Sequence, residues 1–488
     1  MAAAGAFAPA FVPKVKVLGV EAFEQPFRLR LPFRFGVITV TEGRQAFVRV
    51  HVRLDDGREG FGYAAEMLAA KWFDKNPALT DAENQDQLRK SIEIAADAYR
   101  EAIPSTPFDL FADHYRYQMR AGRGLELPPL VASFGNALLD RGVFDAVCRL
   151  LGVSFWTAMR SNLAGMTQHP VIPDLGDFDF NAFLAGLVPV TSIEARHTVG
   201  LADPIIAADQ TSATRVGDGL PETLEEVVAR YGQRCFKLKL NGDRRVDLDR
   251  LMRIAAVLDR VAGLHVTLDG NEQYEDVESV VELWEAMEAE PALQKLCAAT
   301  LFIEQPIKRQ VALARSIAPL ARLRPVIIDE SDGELDAFVR ARGLGYGGVS
   351  SKDCKGFYRS VINLARCRLW NAESGDGGYF ISGEDLTTQA GLSVQQDLAL
   401  VALLGLADVE RNGHHFIDGF AGRPLAESLA FLEAHPDLYH EEDRRVRLTI
   451  RSGRLELGSL ECPGFGSAVV PDLSTTAPMP KAAWPPQR

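Results

Sequence analysis

The sequence is poor in several features that define other classes of protein. Cysteine is scarce, with six residues in 488 and no Cys-x-x-Cys pair, which disfavours a disulfide framework and a zinc finger and is typical of reduced thiols. No run of about 18 apolar residues occurs. The N-terminal stretch MAAAGAFAPAFVPKVKV lacks the basic start and long apolar core of a signal peptide. We therefore expect a cytoplasmic protein with no membrane partner.

Positive charge is also in deficit. The chain has 53 Lys and Arg residues against 66 Asp and Glu residues, a formal net charge of -13, and no block rich in Lys or Arg. Because phosphate binding needs a concentrated basic surface, a nucleic-acid partner is excluded. The apolar and charged fractions, 47% and 24%, are ordinary for a folded globular chain. The length predicts two or three domains.

The order of patterns along the chain divides it into three parts. The segment FVRVHVRL alternates polar and apolar residues and is followed by a turn at Asp56-Gly57, which predicts antiparallel strands. Residues 77–160 show helical spacing, and Gly152 closes the helix of NALLDRGVFDAVCRLLGV. After residue 420 short strands return, and the Pro- and Ala-rich last dozen residues are expected to be loosely held.

Between these parts, short apolar runs alternate with amphipathic helices. This alternation predicts a parallel β/α barrel, and a doubly wound sheet is the structural alternative. The eight runs are TSIEARHTVG, CFKLKL, LHVTLDGN, TLFIEQP, PVIIDES, GGVSSKD, GYFISGED and LADVERN.

Ionisable residues stand at the ends of the central runs. Lys237 and Lys239 share one face of the second run, because side chains alternate along a strand. The next runs end at Asp269, Glu304, Asp329 and Lys352. In a barrel these ends meet at one mouth, where three carboxylates must hold a hard cation or repel one another. For each Asp taken alone, a helix N-cap is the competing interpretation.

The motifs KLK, DGN, EQP, DES and SSKDCKG, in this order on successive units, resemble the enolase superfamily in its mandelate racemase and muconate-lactonizing branch. The flanks are similar as well, from PFRFGVITVTEGRQAFVRVHV to PGFGSAV. The resemblance implies an α/β fold, a (β/α) barrel of modified TIM type at residues 191–420. It also implies an N-terminal α+β capping domain at 1–190, completed by the C-terminal segment 421–488.

The resemblance also implies a chemistry. Mg²⁺ on Asp269, Glu304 and Asp329 would bind a substrate carboxylate and stabilise the enolate charge that develops when the α proton leaves. Lys239 would be the base, Lys237 would position and polarise, and Lys352 would lie on the opposite face. A nearby ammonium group and a dication lower the pKa of a lysine base. Lys355 competes with Lys352 for the sixth-strand role.

Further residues are candidates for supporting the site or binding substrate. Asn271 and Glu330 resemble partners of the metal ligands and lysines. Lid segments at 34–43 and 64–75 are expected to close over the mouth, where Lys71 and Trp72 would reach a ligand.

The last two strands carry further candidates. Glu384 and Asp385 either bind substrate or cap a helix. On the eighth strand, DVERN supplies Glu410 but lacks the Asp-x-Asp of dipeptide epimerases, which disfavours a dipeptide. Adjacent His414 and His415 point apart, so surface or supporting roles are favoured over metal binding.

Four functions are compatible with these residues. We expect an isomerase, an epimerase or racemase that acts on a small-molecule carboxylate, and a dehydratase or cycloisomerase on the same scaffold is close behind. A Schiff-base aldolase using Lys352 needs no metal and leaves the three carboxylates unexplained. A non-catalytic barrel needs neither lysine position. The resemblance implies a homo-oligomer, and extra sequence near 76–125, 160–190 and 205–220 leaves the substrate unspecified.

Overall fold

The computed structural model describes residues 11–375 and 377–486. Residues 1–10, which belong to the stretch inspected for a signal peptide, lie outside the described residues. Within the described ranges, no helix combines the length and apolar character needed to cross a membrane. The six cysteines are all unpaired in the described chain.

The N-terminal part is an antiparallel sheet covered by helices. The sheet order is β15 (Ala477–Pro478), β1 (Val15–Phe35), β2 (Ile38–Leu54) and β3 (Glu59–Met67). The predicted turn at Asp56-Gly57 is present, with Gly57 in the left-handed region at φ 89°. Val48, Val50 and Val52 are fully buried beneath helix α4. The helix approaches so closely that a Cβ on Gly62 would lie 2.0 Å from the carbonyl oxygen of Gly142. The elements are β1 (Val15–Phe35), β2 (Ile38–Leu54), β3 (Glu59–Met67), α1 (Ala70–Phe73), α2 (Asp81–Glu101), α3 (Pro107–Gly124), α4 (Pro129–Leu151), α5 (Phe155–Arg160) and α6 (Phe180–Ala185).

The central part is a closed barrel of parallel strands. Each strand pairs with the next in chain order, and the pairing of β11 with β4 closes the ring. The predicted (β/α) barrel with an α+β cap is therefore confirmed, and the doubly wound alternative is wrong. The strands are β4 (Ser192–Val199), β5 (Cys235–Lys239), β6 (His265–Asp269), β7 (Thr300–Glu304), β8 (Val326–Ile328), β9 (Gly348–Ser351), β10 (Phe380–Gly383) and β11 (Asp408–Glu410).

Helices follow the barrel strands along the chain, and their apolar faces contribute to the buried core. Helix starts coincide with side-chain caps where the sequence supplies them: Thr223, Asp243 and Asp276 each accept a hydrogen bond from a backbone N–H of the helix that follows. The helices are α7 (Leu224–Tyr231), α8 (Arg244–Leu258), α9 (Val277–Ala289), α10 (Gln294–Ala299), α11 (Arg309–Ala312), α12 (Ala318–Ala321), α13 (Ala337–Gly343), α14 (Phe357–Ser374), α15 (Leu392–Leu403) and α16 (Gly413–Phe416).

The segment after residue 420 contacts both other parts. Strand β14 pairs antiparallel with β4 of the barrel, and β15 pairs with β1 of the N-terminal sheet. The expectation of a loosely held end is wrong for residues 477–486, because the indole of Trp484 donates to the carbonyl oxygen of Leu125 at 2.8 Å. The domain limits at 190 and 420 stay predictions. The elements are α17 (Leu425–Ala434), β12 (Tyr439–Glu442), β13 (Arg445–Leu448), β14 (Arg454–Glu456) and β15 (Ala477–Pro478).

Candidate active site

A cavity of about 380 Å³ lies between the barrel mouth and the N-terminal sheet. Its barrel wall includes Lys239 and Lys352, and its other wall comes from both segments predicted to form a lid. Residues 34–43 comprise the end of β1, a short turn and the start of β2. The cavity therefore lies where the carboxyl ends of the barrel strands meet, the usual position of an active site in this architecture.

Strand register places the charged residues side by side. On β5, Lys237 and Lys239 both face the barrel interior, and Lys239 pairs in register with Asp269, which in turn pairs with Glu304. All of these side chains are buried. The two ammonium groups of the KLK motif therefore lie among carboxylates. Side-chain alternation along β5 puts both lysines on its inner face, and closure of the barrel brings the carboxylates of other strands to the same side.

Lys237 is the centre of the buried charge network. Its Nζ lies 2.7 Å from Glu304 Oε2, 2.8 Å from Glu410 Oε2 and 3.5 Å from Asp269 Oδ2, and it also pairs with Glu384. Burial by itself lowers the pKa of Lys237, but these carboxylates raise it well above its ordinary value. The neighbouring carboxylates therefore favour the charged ammonium form of Lys237.

The other two lysines each pair with one proposed metal ligand. Lys239 Nζ lies 2.5 Å from Asp269 Oδ2, and Lys352 Nζ lies 2.6 Å from Asp329 Oδ2. Burial lowers the pKa of Lys352, and Asp329 more than offsets this, so the net shift is upward. Lys355 does not line the cavity; it pairs with Asp332 at 3.0 Å and lies 3.5 Å from Asp329 Oδ1.

The three carboxylates fit a divalent cation by their chemistry. Glu304 is fully buried, and its pKa is raised well above its ordinary value, first by burial and then by the charges of Asp269 and Glu384, with a smaller contribution from Asp329. Glu304 Oε1 has no hydrogen-bond partner among the described residues. Hard oxygen ligands with excess negative charge suit Mg²⁺.

In the structure, two of the three proposed metal ligands form ion pairs with lysine ammonium groups. Within the described ranges, no cluster of three or more His, Cys, Asp or Glu side chains has a geometry that could hold a metal ion. Lys239 and Lys352 contact Asp269 and Asp329 instead. Metal binding at these residues would therefore require the two ammonium groups to move or to lose their charge.

The mouth is held by residues in strained backbone conformations. Asn271 and Gln305 adopt the left-handed region at φ 40° and 32°, which costs energy for non-glycine residues and is common at functional sites. Asn271 donates from its backbone to Asp269 Oδ1 at 2.8 Å and from its side chain to Glu330 Oε1 at 3.2 Å. Asn271 and Glu330 thus contact each other, and Asn271 also contacts the proposed ligand Asp269.

The carboxylates of the last two strands differ in whether they line the cavity. Glu384 is fully buried between Arg196 and Lys237 and does not line the cavity. Asp385 and Glu410 line it. Asp385 accepts a hydrogen bond from the backbone N–H of Thr388 at 2.9 Å. Helix α15 begins after Gly391 without a side-chain cap, so the expectation that Glu384 or Asp385 caps this helix is wrong.

Lys71 and Trp72 both line the cavity on the capping side. Lys71 Nζ donates to the carbonyl oxygen of Leu79 at 2.7 Å, so it is partly committed within the cap. Trp72 is buried, its ring lies 4.4 Å from Lys352 Nζ, and its indole N–H has no partner among the described residues. The ring therefore favours the charged form of Lys352 through a cation–π contact.

His414 and His415 are both buried, so the expectation of a surface role is wrong. The ring of His415 lies 4.9 Å from that of His197, and His414 lies 6.0 Å from it. Burial lowers the pKa of His197 to about 3 and lowers those of the other two well below the ordinary value. These imidazoles are neutral side chains packed beside the first barrel strand.

Sequence reasoning missed three residues that hold the site. Arg196, on the first strand, pairs with Glu384 at 2.6 Å. Gln305 Oε1 accepts from the backbone of Asp329 at 2.8 Å. Lys75 crosses from the cap to Glu330 at 3.2 Å. Arg196 could have been noticed from the sequence, because it is an Arg in an otherwise buried strand. Lys75 could not, because its partner Glu330 is distant in sequence.

Comparison of the structure with solved structures finds enzymes that share this architecture. Muconate lactonizing enzyme from Pseudomonas fluorescens is 17% identical, with a TM-score of 0.56 over 93% of this chain and 97% of that one. 2-Chloromuconate cycloisomerase from Rhodococcus opacus is 18% identical, with a TM-score of 0.57 over 95% and 100%. Dipeptide epimerase from Enterococcus faecalis, solved with Mg and a dipeptide, is 15% identical, with a TM-score of 0.55 over 92% and 99%.

No protein-family model and no curated protein sequence matches the chain. The structural likenesses span nearly the whole length of each chain. They establish that this protein has the barrel and capping fold of the enolase superfamily, as found in its mandelate racemase and muconate lactonizing branch. The resemblance drawn from the motifs is thereby confirmed at the level of the fold.

Proposed function

We propose that this protein is a Mg²⁺-dependent isomerase that removes the proton α to the carboxylate of a small molecule and returns a proton on the opposite face. An epimerase or a racemase carries out this sequence. The observation that carries the proposal is the position of two lysines. Lys239 ends strand β5 and Lys352 directly follows strand β9; these strands are four places apart in a ring of eight, and both lysines line one cavity.

The role proposed for each of the three lysines follows from its position and from the groups around it. The base must be neutral when it accepts the proton, and Lys239 holds the position for this role on one side of the cavity. Lys352, whose ammonium group lies over the face of Trp72, is suited to deliver a proton from the other side. Lys237 supplies a permanent positive charge behind them.

Asp269, Glu304 and Asp329 would hold the cation. When bound, Mg²⁺ would attract the substrate carboxylate and stabilise the negative charge that develops on it. The backbone N–H of Asn271 donates to the side chain of Asp269, and Gln305 Oε1 accepts from the backbone N–H of Asp329, so this chain supplies an oriented set of oxygen ligands.

The remainder of the cavity indicates an apolar substituent on the substrate. Phe27, Phe33, Phe35, Met67 and Leu68 line the wall contributed by the N-terminal sheet and are buried. Such a wall binds apolar surface at roughly 25 cal/mol per Å² removed from water. Asp408 and Glu410, the carboxylates of the eighth strand, are engaged by Arg196 and Lys237, which supports the inference that a dipeptide ammonium is not the ligand.

A cycloisomerase is the second candidate, because muconate lactonizing enzymes are among the similar structures. It would need one lysine for proton transfer and the other only as a charge. A homo-oligomeric state and a cytoplasmic location stay predictions.

The proposal is tested by proton exchange. The protein would be incubated with Mg²⁺ in D₂O and a set of α-substituted carboxylates with aryl or alkyl groups, and deuterium would be followed by mass spectrometry. An epimerase incorporates deuterium from both enantiomers. Lys239→Ala then loses exchange with one enantiomer and Lys352→Ala with the other, while the surface variant Lys90→Gln retains both.

The other outcomes separate the alternatives. Exchange or turnover dependent on one lysine alone indicates the cycloisomerase. Covalent trapping of substrate by borohydride, without a need for metal, indicates the aldolase and contradicts the proposal. Exchange that persists after chelation contradicts the assignment of the metal ligands.

A further inference from the structure

A second cavity, of about 240 Å³, lies on the flank of the barrel. It shares no residue with the cavity at the barrel mouth. Its walls come from the end of α7, from α16, and from β12, β13 and the residues that follow β13. This second cavity therefore has no part in the chemistry proposed for the first.

The second cavity is basic although the protein as a whole is acidic. Arg230, Arg447 and Arg451 line it, against one carboxylate, Glu442. Arg230 and Arg447 share Glu442 at 2.5 and 3.6 Å, and Arg447 also pairs at 2.9 Å with Asp418, which lies outside the cavity lining. Arg451 is exposed and makes no ion pair with any described side chain. The lining thus has an excess of positive charge in a chain of net charge -13.

A buried donor without a partner lies in the same wall. His414 is 9% exposed, and neither of its ring nitrogens has a hydrogen-bond partner among the described residues. Its imidazole packs edge-on against the ring of Tyr231, with centroids 5.1 Å apart. A buried polar group is normally satisfied, so this imidazole N–H calls for an acceptor that the protein does not supply. An oxygen of a bound anion would supply it.

We propose that the second cavity binds a small oxyanion, a carboxylate or a phosphate, through Arg230, Arg451 and His414. Guanidinium groups match the paired oxygens of both kinds of anion, and the neutral imidazole donates one further hydrogen bond. Leu448 and Ile450 in the wall would contact an apolar part of the ligand. The cavity volume limits the ligand to a small molecule.

The test is calorimetric titration of the full chain with inorganic phosphate and, separately, with succinate, at constant chloride in metal-free buffer. We expect at least one probe to bind with a stoichiometry of one. The double variant Arg230→Gln/Arg451→Gln should bind it at least tenfold more weakly. Arg260→Gln, which removes an exposed charge from another part of the barrel, should bind as the wild type does. Saturable binding of phosphate alone identifies a phosphate site, and binding of succinate alone a carboxylate site.

Two further variants test whether the anion binds in the second cavity or in the first. His414→Phe should also weaken binding, and the surface arginine variants remain decisive should this buried substitution impair folding. Lys352→Met, in the first cavity, should leave binding unchanged. Failure of both probes to saturate overturns the proposal. Binding that survives the double arginine variant, or that is lost in Lys352→Met, also overturns it.

Discussion

Replacement of Lys237 by Met would remove the central cation of the barrel. Four carboxylates surround this ammonium group, and they differ in what else they contact. Glu384 keeps Arg196, and Asp269 keeps Lys239. Glu410 has no other ion pair among the described residues but keeps hydrogen bonds from the side chains of Thr198 and Asn412. Glu304 has no other ion pair among the described residues, so it would lose its only compensating cation.

The magnitude follows from this arrangement. Loss of one partner from a buried ion pair costs about 3–5 kcal/mol, since the remaining charge stays desolvated. Lys352→Met is the matched comparison, because Asp329 keeps Lys355 at 3.5 Å and the hydroxyl of Ser350. We expect about 3–5 kcal/mol of lost unfolding free energy for Lys237→Met and about 1–3 kcal/mol for Lys352→Met.

The assay is urea unfolding followed by tryptophan fluorescence at pH 7.5 in the presence of a chelator. Wild type and both methionine variants would be compared by transition midpoint and slope. Equal losses in the two variants, or a loss below about 1 kcal/mol for Lys237→Met, would refute the view that Lys237 neutralises Glu304. A bound divalent cation stabilises by about 2.7 kcal/mol at a hundredfold excess over its Kd, so added Mg²⁺ should recover part of the loss.

Three further predictions concern other parts of the chain. Burial lowers the pKa of His197 to about 3, below its unfolded value of 6.5, so its stabilising contribution is complete above pH 6.5 and is lost as the pH falls. Urea midpoints should fall between pH 7 and 5 by the equivalent of about 2 kcal/mol from this group, and His197→Leu should flatten that slope. Gly135→Ala places a Cβ 2.1 Å from a backbone carbonyl oxygen and should lower the melting temperature by several degrees, whereas Gly124→Ala, with open space around it, should not. Trp72→Leu removes the ring over Lys352 and should reduce kcat about tenfold with an unchanged fold by circular dichroism, and unchanged kcat would show that the contact is dispensable.

The sequence by itself determined the barrel and the identity of its charged residues. Alternation of apolar runs with amphipathic helices defines a (β/α) unit locally, and side-chain alternation along β5 places Lys237 and Lys239 on one face without any knowledge of distant contacts. The order of the strands then follows from the right-handed crossover rule. For the same reason Gly152 could be identified as a helix end, because a left-handed cap is a local property.

Only the tertiary structure decided which charges meet. The pairing of Arg196 with Glu384 joins residues 188 positions apart, and that of Lys75 with Glu330 joins residues 255 positions apart. Periodicity carries no information about such pairs, because they depend on ring closure and on how the cap sits over the mouth. The burial of His414, the attachment of the C-terminal segment to β1, and the basic cavity on the flank of the barrel have the same origin. Each arises where elements far apart in the chain are packed against one another, and local sequence patterns specify the elements but not these contacts.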